Sequence, residues 1–319
     1  MLALLKASLP QVKTHLLAND YNAWVVAGNP HVDLIWVYRR VRNSGRVSLG
    51  AAWQWLWQSL ALRRERYDWV IVANGDESPR AIRRGLSVRG TRTVARCADA
   101  SNYPGLTDPL PTDAASHEVD RLLALLEPLG IYSSPKKNFP TYKLPKESSS
   151  FALNWLGERG LAPGRYVALG LGARRPKKQP STAQVLAWSA YLKQRWDLDT
   201  VFMWTPGKSD DPLYPGDDDV AQPVLAAQAP QIHPFRGPLP DALGLIWSAR
   251  TSIFPDSGLM HFAAASPGGV LGFFAETDVS PAPAQWAPRG PRTDYLEAEK
   301  SVSELSEELV YERLAKLLA

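Results

Sequence analysis

The chain of 319 residues has one cysteine, Cys97, and lacks any apolar run of the roughly 18 residues that a membrane-crossing helix needs. A single cysteine excludes an internal disulfide and a thiolate zinc site, and a reducing cytoplasm is the expected home. Residues Met1–Pro10 have no charged leader before their apolar residues and no A-x-A-like cleavage site, so no secretory signal is read there. Charge is also sparse, at 21% of residues, while 45% are hydrophobic. That balance excludes a disordered chain and describes a globular one long enough for two cores. No helix-turn-helix, RNA-binding aromatic motif or zinc finger occurs, and nucleic acid is not an expected partner.

The charge that is present is unevenly spread. Residues 1–150 carry 20 basic and 13 acidic side chains, and residues 151–319 carry 16 and 19. The first half is therefore the expected face for an anionic partner, with a solvated arginine-rich surface as the competing reading. Short apolar segments alternate with stretches of helical period, the pattern of parallel strands joined by crossover helices. Strands are expected at Ala23–Ala27, Leu34–Tyr38, Trp69–Ala73, Tyr166–Leu171, Thr200–Trp204, Ser252–Phe254 and Val270–Phe274. Helices are expected at Met1–Leu9, Trp53–Arg66, His117–Leu129 with Ser116 as N-cap, Thr182–Arg195, Pro240–Ser248 and Val302–Leu318. The proline- and lysine-rich stretch Tyr132–Ser150 reads as an interdomain linker, and Asp210–Pro230 as a loop. The expected architecture is α/β, two Rossmann-like domains with parallel sheets facing a cleft, at 1–147 and 148–319, the last helix packing back on the first domain.

Two segments carry candidate chemistry. Phe254-Pro255-Asp256-Ser257-Gly258-Leu259-Met260-His261-Phe262-Ala263-Ala264-Ala265 runs from a strand through a tight turn into a helix, where backbone N–H groups and the dipole suit a phosphate. An Asp or Ser N-cap is the competing reading. Leu169-Gly170-Leu171-Gly172-Ala173-Arg174-Arg175-Pro176-Lys177-Lys178-Gln179-Pro180 follows another strand and offers glycines and cations where a diphosphate would lie. It is neither a Walker A loop nor Gly-x-Gly-x-x-Gly. The helix holding Trp53, Trp55, Trp57, Leu56 and Leu60 suits either a core face or a membrane surface. Asp197-Leu198-Asp199 and Asp217-Asp218-Asp219 read as solvated loops, and no histidine spacing implies a metal.

Together the two segments resemble glycosyltransferase family 9, the lipopolysaccharide heptosyltransferases, whose members have a Lys-x-Trp-Pro loop and an Asp-Ser/Thr-Gly-x-x-His-x-Ala-Ala turn. The turn is intact from Asp256 to Ala264; the loop reads Lys177-Lys178-Gln179-Pro180, with Gln in place of Trp. Asn29-Pro30-His31-Val32-Asp33, Arg66-Tyr67-Asp68-Trp69-Val70-Ile71, His117-Glu118-Val119-Asp120 and Trp286-Ala287-Pro288 also look like the family. The resemblance implies a GT-B fold and an inverting transfer of a heptose or related sugar from an ADP-sugar to the lipopolysaccharide inner core. That places a cytoplasmic enzyme, without transmembrane segment, against the inner membrane. It implies no cofactor and no metal. It assigns Lys177 to the donor diphosphate beside Gly172 and Ala173, Ser257 and Gly258 to the distal phosphate, Asp256 to sugar hydroxyls and His261 to bracing the turn. Asp210 falls where a ribose contact is expected, and Arg236–Pro238 where main chain meets the base.

The family's opening strand and Gly-Asp loop, whose aspartate is the expected general base, have no counterpart here, and a reading frame continuing upstream of Met1 is expected. Within the chain as given, Asp76 of Asn74-Gly75-Asp76-Glu77 is the candidate base, with a solvated acidic turn as its competing reading. The rival functions are a nucleotide-sugar-binding homologue without turnover and a non-hydrolysing nucleotide-sugar epimerase.

Overall fold

The computed structural model describes residues 1–39, 42–43, 46–47, 49–133, 139–172, 175–211, 216–278 and 282–319. The chain forms two compact units, Met1–Asn138 and Phe139–Ala319. The break falls inside the stretch read as a linker, but the end of that stretch is helical, because Pro145 at the N-cap starts a helix rather than interrupting one.

In the first unit the order is α1 (Leu2–Ser8), β1 (His15–Asn19), β2 (Leu34–Tyr38), β3 (Arg42–Asn43), β4 (Arg46–Val47), α2 (Leu49–Arg64), β5 (Trp69–Ile71), α3 (Pro79–Val88), β6 (Arg92–Arg96), β7 (Asp108–Leu110) and α4 (Glu118–Ala124). The parallel strands fall into two separate sheets, β1–β2 and β5–β6–β7, and β3–β4 is a small hairpin. A cavity of about 260 Å³ is lined by residues of β1, β2 and β5, with His15 Nδ1 and Tyr67 Oη joined across 2.8 Å. The strand expected at Ala23–Ala27 is a 3-10 turn, Ala23–Val26, entered from Asn22 and left before Gly28, whose φ of +70° breaks any extension. The helix expected from His117 to Leu129 ends at Ala124 and restarts as a 3-10 turn, Glu127–Leu129. Its N-cap is His117, whose side chain accepts from the Val119 amide, not Ser116.

Asp33 anchors the entry to β2. Its Oδ2 accepts from Lys6 Nζ at 2.6 Å and from the Thr14 amide at 2.6 Å. The lysine bond, ahead of the amide, takes the carboxyl down to about 2. The folded value lies below the unfolded one, so this stabilisation is complete above about pH 4 and is lost as the pH falls through about 2. Asp33→Asn should therefore unfold more easily than the parent at pH 7, with the gap closing on acidification; equal denaturation curves at pH 7 would contradict the role.

The second unit runs α5 (Lys146–Gly157), β8 (Tyr166–Gly170), α6 (Thr182–Trp196), β9 (Asp199–Met203), α7 (Asp218–Ala226), β10 (Ile232–Phe235), α8 (Leu239–Ser248), β11 (Thr251–Pro255), α9 (Gly258–Ala264), β12 (Val270–Ala275), α10 (Pro283–Trp286), β13 (Thr293–Ala298) and α11 (Glu307–Leu318). Six parallel strands lie in the order β10-β9-β8-β11-β12-β13, the doubly wound order in which the chain reverses direction between β8 and β11. β8, β11 and β12 are buried along their whole length, as apolar strands covered on both faces must be. Alternate residues feed two cores. Val167, Leu169, Phe202 and Phe273 pack with Val185, Trp188 and Leu314, while Tyr166, Ala168, Phe254 and Phe274 pack with Leu156, Leu243 and Ile246.

Helix α6 starts with the capping box Ser181–Gln184. Helix α7 lies within the stretch expected to be loop, so Asp218 and Asp219 are its first turn. The last helix is split, with a 3-10 turn at Val302–Glu304 and α11 starting after Ser306, which accepts from the Leu309 amide. Its buried face, Val310, Leu314 and Leu318, belongs to the second unit's own core, and Arg250 donates to the Leu318 carbonyl at 2.8 Å. Where α8 crosses α5, a Cβ on Gly244 would stand 2.1 Å from the Ser148 carbonyl oxygen. Gly244→Ala should force the helices apart and cost about 1–3 kcal/mol in a denaturant titration; an unchanged midpoint would contradict this contact.

Candidate functional site

The reversal point puts the C-terminal ends of β8 and β11 side by side, and both candidate segments start there. Gly170 ends β8 against the ring of Phe254, where a Cβ would come within 2.3 Å of the aromatic carbon. Gly172 follows, with its Cα hydrogens facing Ser257; a Cβ there would meet Ser257 Oγ at 3.5 Å. The two residues line a cavity of about 290 Å³ whose walls are Met203 to Pro206, Phe235, Gly237, Leu239, Ala242, Gly258, Leu259 and Phe262. It is apolar on the sides of Trp204, Phe235, Leu239 and Phe262, and it lies wholly within the second unit. Gly237 keeps one wall open, since a Cβ would strike the Phe235 ring at 2.6 Å.

Ser257 stands at the N-cap position of α9, yet its side chain makes no cap hydrogen bond. Its Oγ is buried and has no hydrogen-bond partner among the described residues. A simple capping role therefore does not account for it, and a buried hydroxyl without a partner beside a cavity fits a ligand oxygen.

The two lysines of the loop after β8 divide their work. Lys178 is buried, and its Nζ meets Asp256 Oδ2 at 2.5 Å, the two side chains being 8% and 11% exposed. Lys177 is 60% exposed and reaches Glu276 Oε1 at 2.8 Å, which holds the Glu276 carboxyl below the usual range. Glu276 takes φ +54° at the end of β12, a left-handed conformation unusual for a side chain of that size. Sequence reasoning named Lys177 and Asp256 but not Lys178, whose partner lies 78 residues on in sequence and is brought to it by the pairing of β8 with β11. Gln179 fills the place where a tryptophan was expected by being buried and donating to Asp217 Oδ1 at 2.7 Å.

Other expected residues are placed differently. His261 lies on α9 with its ring edge-on to Trp286 at 6.0 Å between centroids. Ala173 lies outside the described residues. Asp210 is exposed and does not line the cavity. The acid that shapes this region is Asp218, which accepts from Trp204 Nε1 at 2.7 Å, the Gly207 amide at 3.0 Å and Arg236 Nε at 2.8 Å. Arg236, ahead of the indole, holds the Asp218 carboxyl far below the usual range. The run Asp217-Asp218-Asp219 read as a solvated loop is therefore a fastening at its first two members, Asp217 buried and Asp218 half-buried.

In the first unit, the candidate base Asp76 is exposed and its Oδ1 accepts from Arg121 Nη1 at 2.6 Å. Glu118 holds the same loop by accepting from the Gly75 amide at 3.0 Å.

A family model described as Glycosyltransferase family 9 (heptosyltransferase) matches residues 55–304. Among solved structures, a glycosyl transferase family 9 protein from Veillonella parvula is similar at 19% identity and a TM-score of 0.81, covering 99% of this chain and 91% of that one. The E. coli ADP-heptose lps heptosyltransferase II is 19% identical with a TM-score of 0.69, over 99% and 92% of the two chains. E. coli heptosyltransferase WaaC with ADP is 16% identical with a TM-score of 0.74, over 99% and 94%. No curated protein sequence matches the chain. No helix among the described residues is long and apolar enough to cross a membrane.

Proposed function

The chain belongs to glycosyltransferase family 9, and from that premise we propose that it transfers a heptose or related sugar from an ADP-sugar to the inner core of lipopolysaccharide. The observation that supports a donor site at the reversal point is the buried Ser257 hydroxyl, without a hydrogen-bond partner among the described residues, next to Gly172 at the wall of an apolar-sided cavity. The adenine ring stacks into the apolar side near Phe235 and Leu239, and the diphosphate runs past Gly172 to Ser257, with Lys177 leaving Glu276 to meet it. Asp256, held by Lys178, keeps a second carboxylate oxygen for the sugar hydroxyls.

In the transfer, an acceptor hydroxyl attacks the anomeric carbon from the face opposite the diphosphate. The bond from that carbon to the phosphate oxygen breaks, ADP leaves, and the hydroxyl proton passes to a base. Lysine charge beside the departing diphosphate lowers the barrier by stabilising the negative charge that develops there. The Asp76 carboxylate is exposed and engaged by the Arg121 guanidinium, and the proton is not assigned to it here. Asp76→Ala should leave turnover unchanged, and a loss near the 10²–10⁴-fold typical of a missing general base would assign it that role after all.

The acceptor half of the reading is tested by supplying ADP-heptose with heptose-free lipopolysaccharide core and measuring ADP release and mass gain of the acceptor. A heptose-sized gain supports the reading. Donor binding without transfer to any core acceptor would overturn it.

A further inference from the structure

We propose that helix α2 is a membrane-docking element that lays its outward face on an anionic lipid surface. The helix is apolar on both sides, which a surface helix of a free-standing protein normally is not. Its inward side buries Ala51, Ser59 and Leu62, and Gln58 pins it to β2 by donating to the Val37 carbonyl at 2.5 Å. Its outward side exposes Trp53 (61%), Leu56 (49%), Trp57 (57%) and Leu60 (38%). Leu56 and Trp57 lie three and four residues after Trp53, and Leu60 lies four and three after them, which places all four on one stripe. The indoles of Trp53 and Trp57 meet edge to face at 5.8 Å between centroids, so their apolar surfaces are contiguous.

The occupant is read from charge. Arg64, three turns on from Trp53 along the same stripe, is exposed, as are Arg66 and, just past β2, Arg39. From Arg39 to Arg66 the sequence holds seven arginines and one acid, Glu65. Tryptophan and leucine at the centre with arginine at the margin match the interface of an anionic bilayer, where indoles lie at headgroup depth and guanidinium groups meet phosphate. A protein partner would meet the same tryptophans but has no need of this strongly net-basic margin. The proposal is independent of the donor site, and it rests on the proposed function only in that a lipid-anchored acceptor gives such a surface its use.

The test is flotation of the full chain with vesicles of phosphatidylethanolamine and phosphatidylglycerol at 3:1, about that ratio giving an anionic surface, against pure phosphatidylcholine. The protein should float with the anionic vesicles, increasingly so at low salt, and stay behind with the neutral ones. The double variant Trp53→Ser/Trp57→Ser should lose at least about ten-fold in vesicle affinity, since it removes most of the insertable area. Its circular dichroism, melting point and ADP affinity should match the parent's, because both indoles are exposed. Arg64→Glu should weaken binding to anionic vesicles and reduce its salt dependence. Failure of the parent to float, or flotation of the double variant equal to the parent's, overturns the proposal. So does a parent that sediments as a dimer which the tryptophan variant dissolves, because the face would then join two copies. Loss of ADP binding in the parent would count against the donor site and leave the flotation result standing.

Discussion

Lys178→Ala should destabilise the second unit by about 3–5 kcal/mol, the usual cost of stranding one member of a buried ion pair. For a unit of this size that is a fall in melting temperature of roughly 10 °C. The physical cause is local: Asp256 is 11% exposed, and without Lys178 its charge loses its partner in a place water hardly reaches. Asp256→Ala should cost a similar amount by stranding Lys178. The double variant should cost far less than the two losses added together, because neither charge is then left alone. Additive losses would mean that the pair contributes little and that each side chain acts through separate packing. The result matters for function, since it separates a lysine that holds the turn from one that is free to meet a ligand.

Lys177→Ala should do the reverse. Lys177 is 60% exposed and its bond to Glu276 lies at the surface, where such pairs contribute little, so the melting temperature should stay put. Affinity for ADP should fall about 10- to 100-fold, the worth of one charge-assisted contact to phosphate. Glu276→Gln supplies the opposite arm. It removes the carboxylate that competes for the ammonium group, and ADP should bind more tightly than to the parent. Unchanged ADP affinity in Lys177→Ala, measured on a protein with unchanged melting, would take Lys177 out of the donor site.

The central strands of the second unit were legible in the sequence because they are continuous apolar runs. Tyr166–Gly170, Thr251–Pro255 and Val270–Ala275 all lie within a residue or two of where the pattern puts them. The strands that escaped notice are edges or are broken by polar residues. β10 contains Pro234 and lies at one margin of the sheet, and β13, at the other, buries only Leu296 and Ala298 and exposes Tyr295 and Glu297. An edge strand needs only one apolar face and tolerates proline, so it carries a weaker signal. Helix α7 was hidden by Pro223 and by its acidic start, yet Asp217 and Asp218 are the residues that fasten the loop over the cavity.

Of the site, the Asp256–Gly258 turn and Gly172 were legible because turn chemistry is local. The Lys178–Asp256 and Asp218–Arg236 pairs were not, because each joins segments that only the sheet order brings together. Asp210 was placed by loop length alone, and loop length does not determine which acid of a loop turns inward. The division of the first unit into two sheets also had no signature in the residues of β1 and β5 themselves, since a strand's sequence says whether it is buried, not which neighbour it pairs with.

The measurement that bears most directly on the account is a calorimetric titration of the protein with ADP-heptose, run beside ADP and UDP. ADP-heptose and ADP should bind at one site per chain, and Gly172→Val, which fills the space before Ser257, should abolish the heat while the protein stays folded. Absence of binding by the folded parent, or binding untouched by Gly172→Val, would contradict a donor site at the junction of β8 and β11.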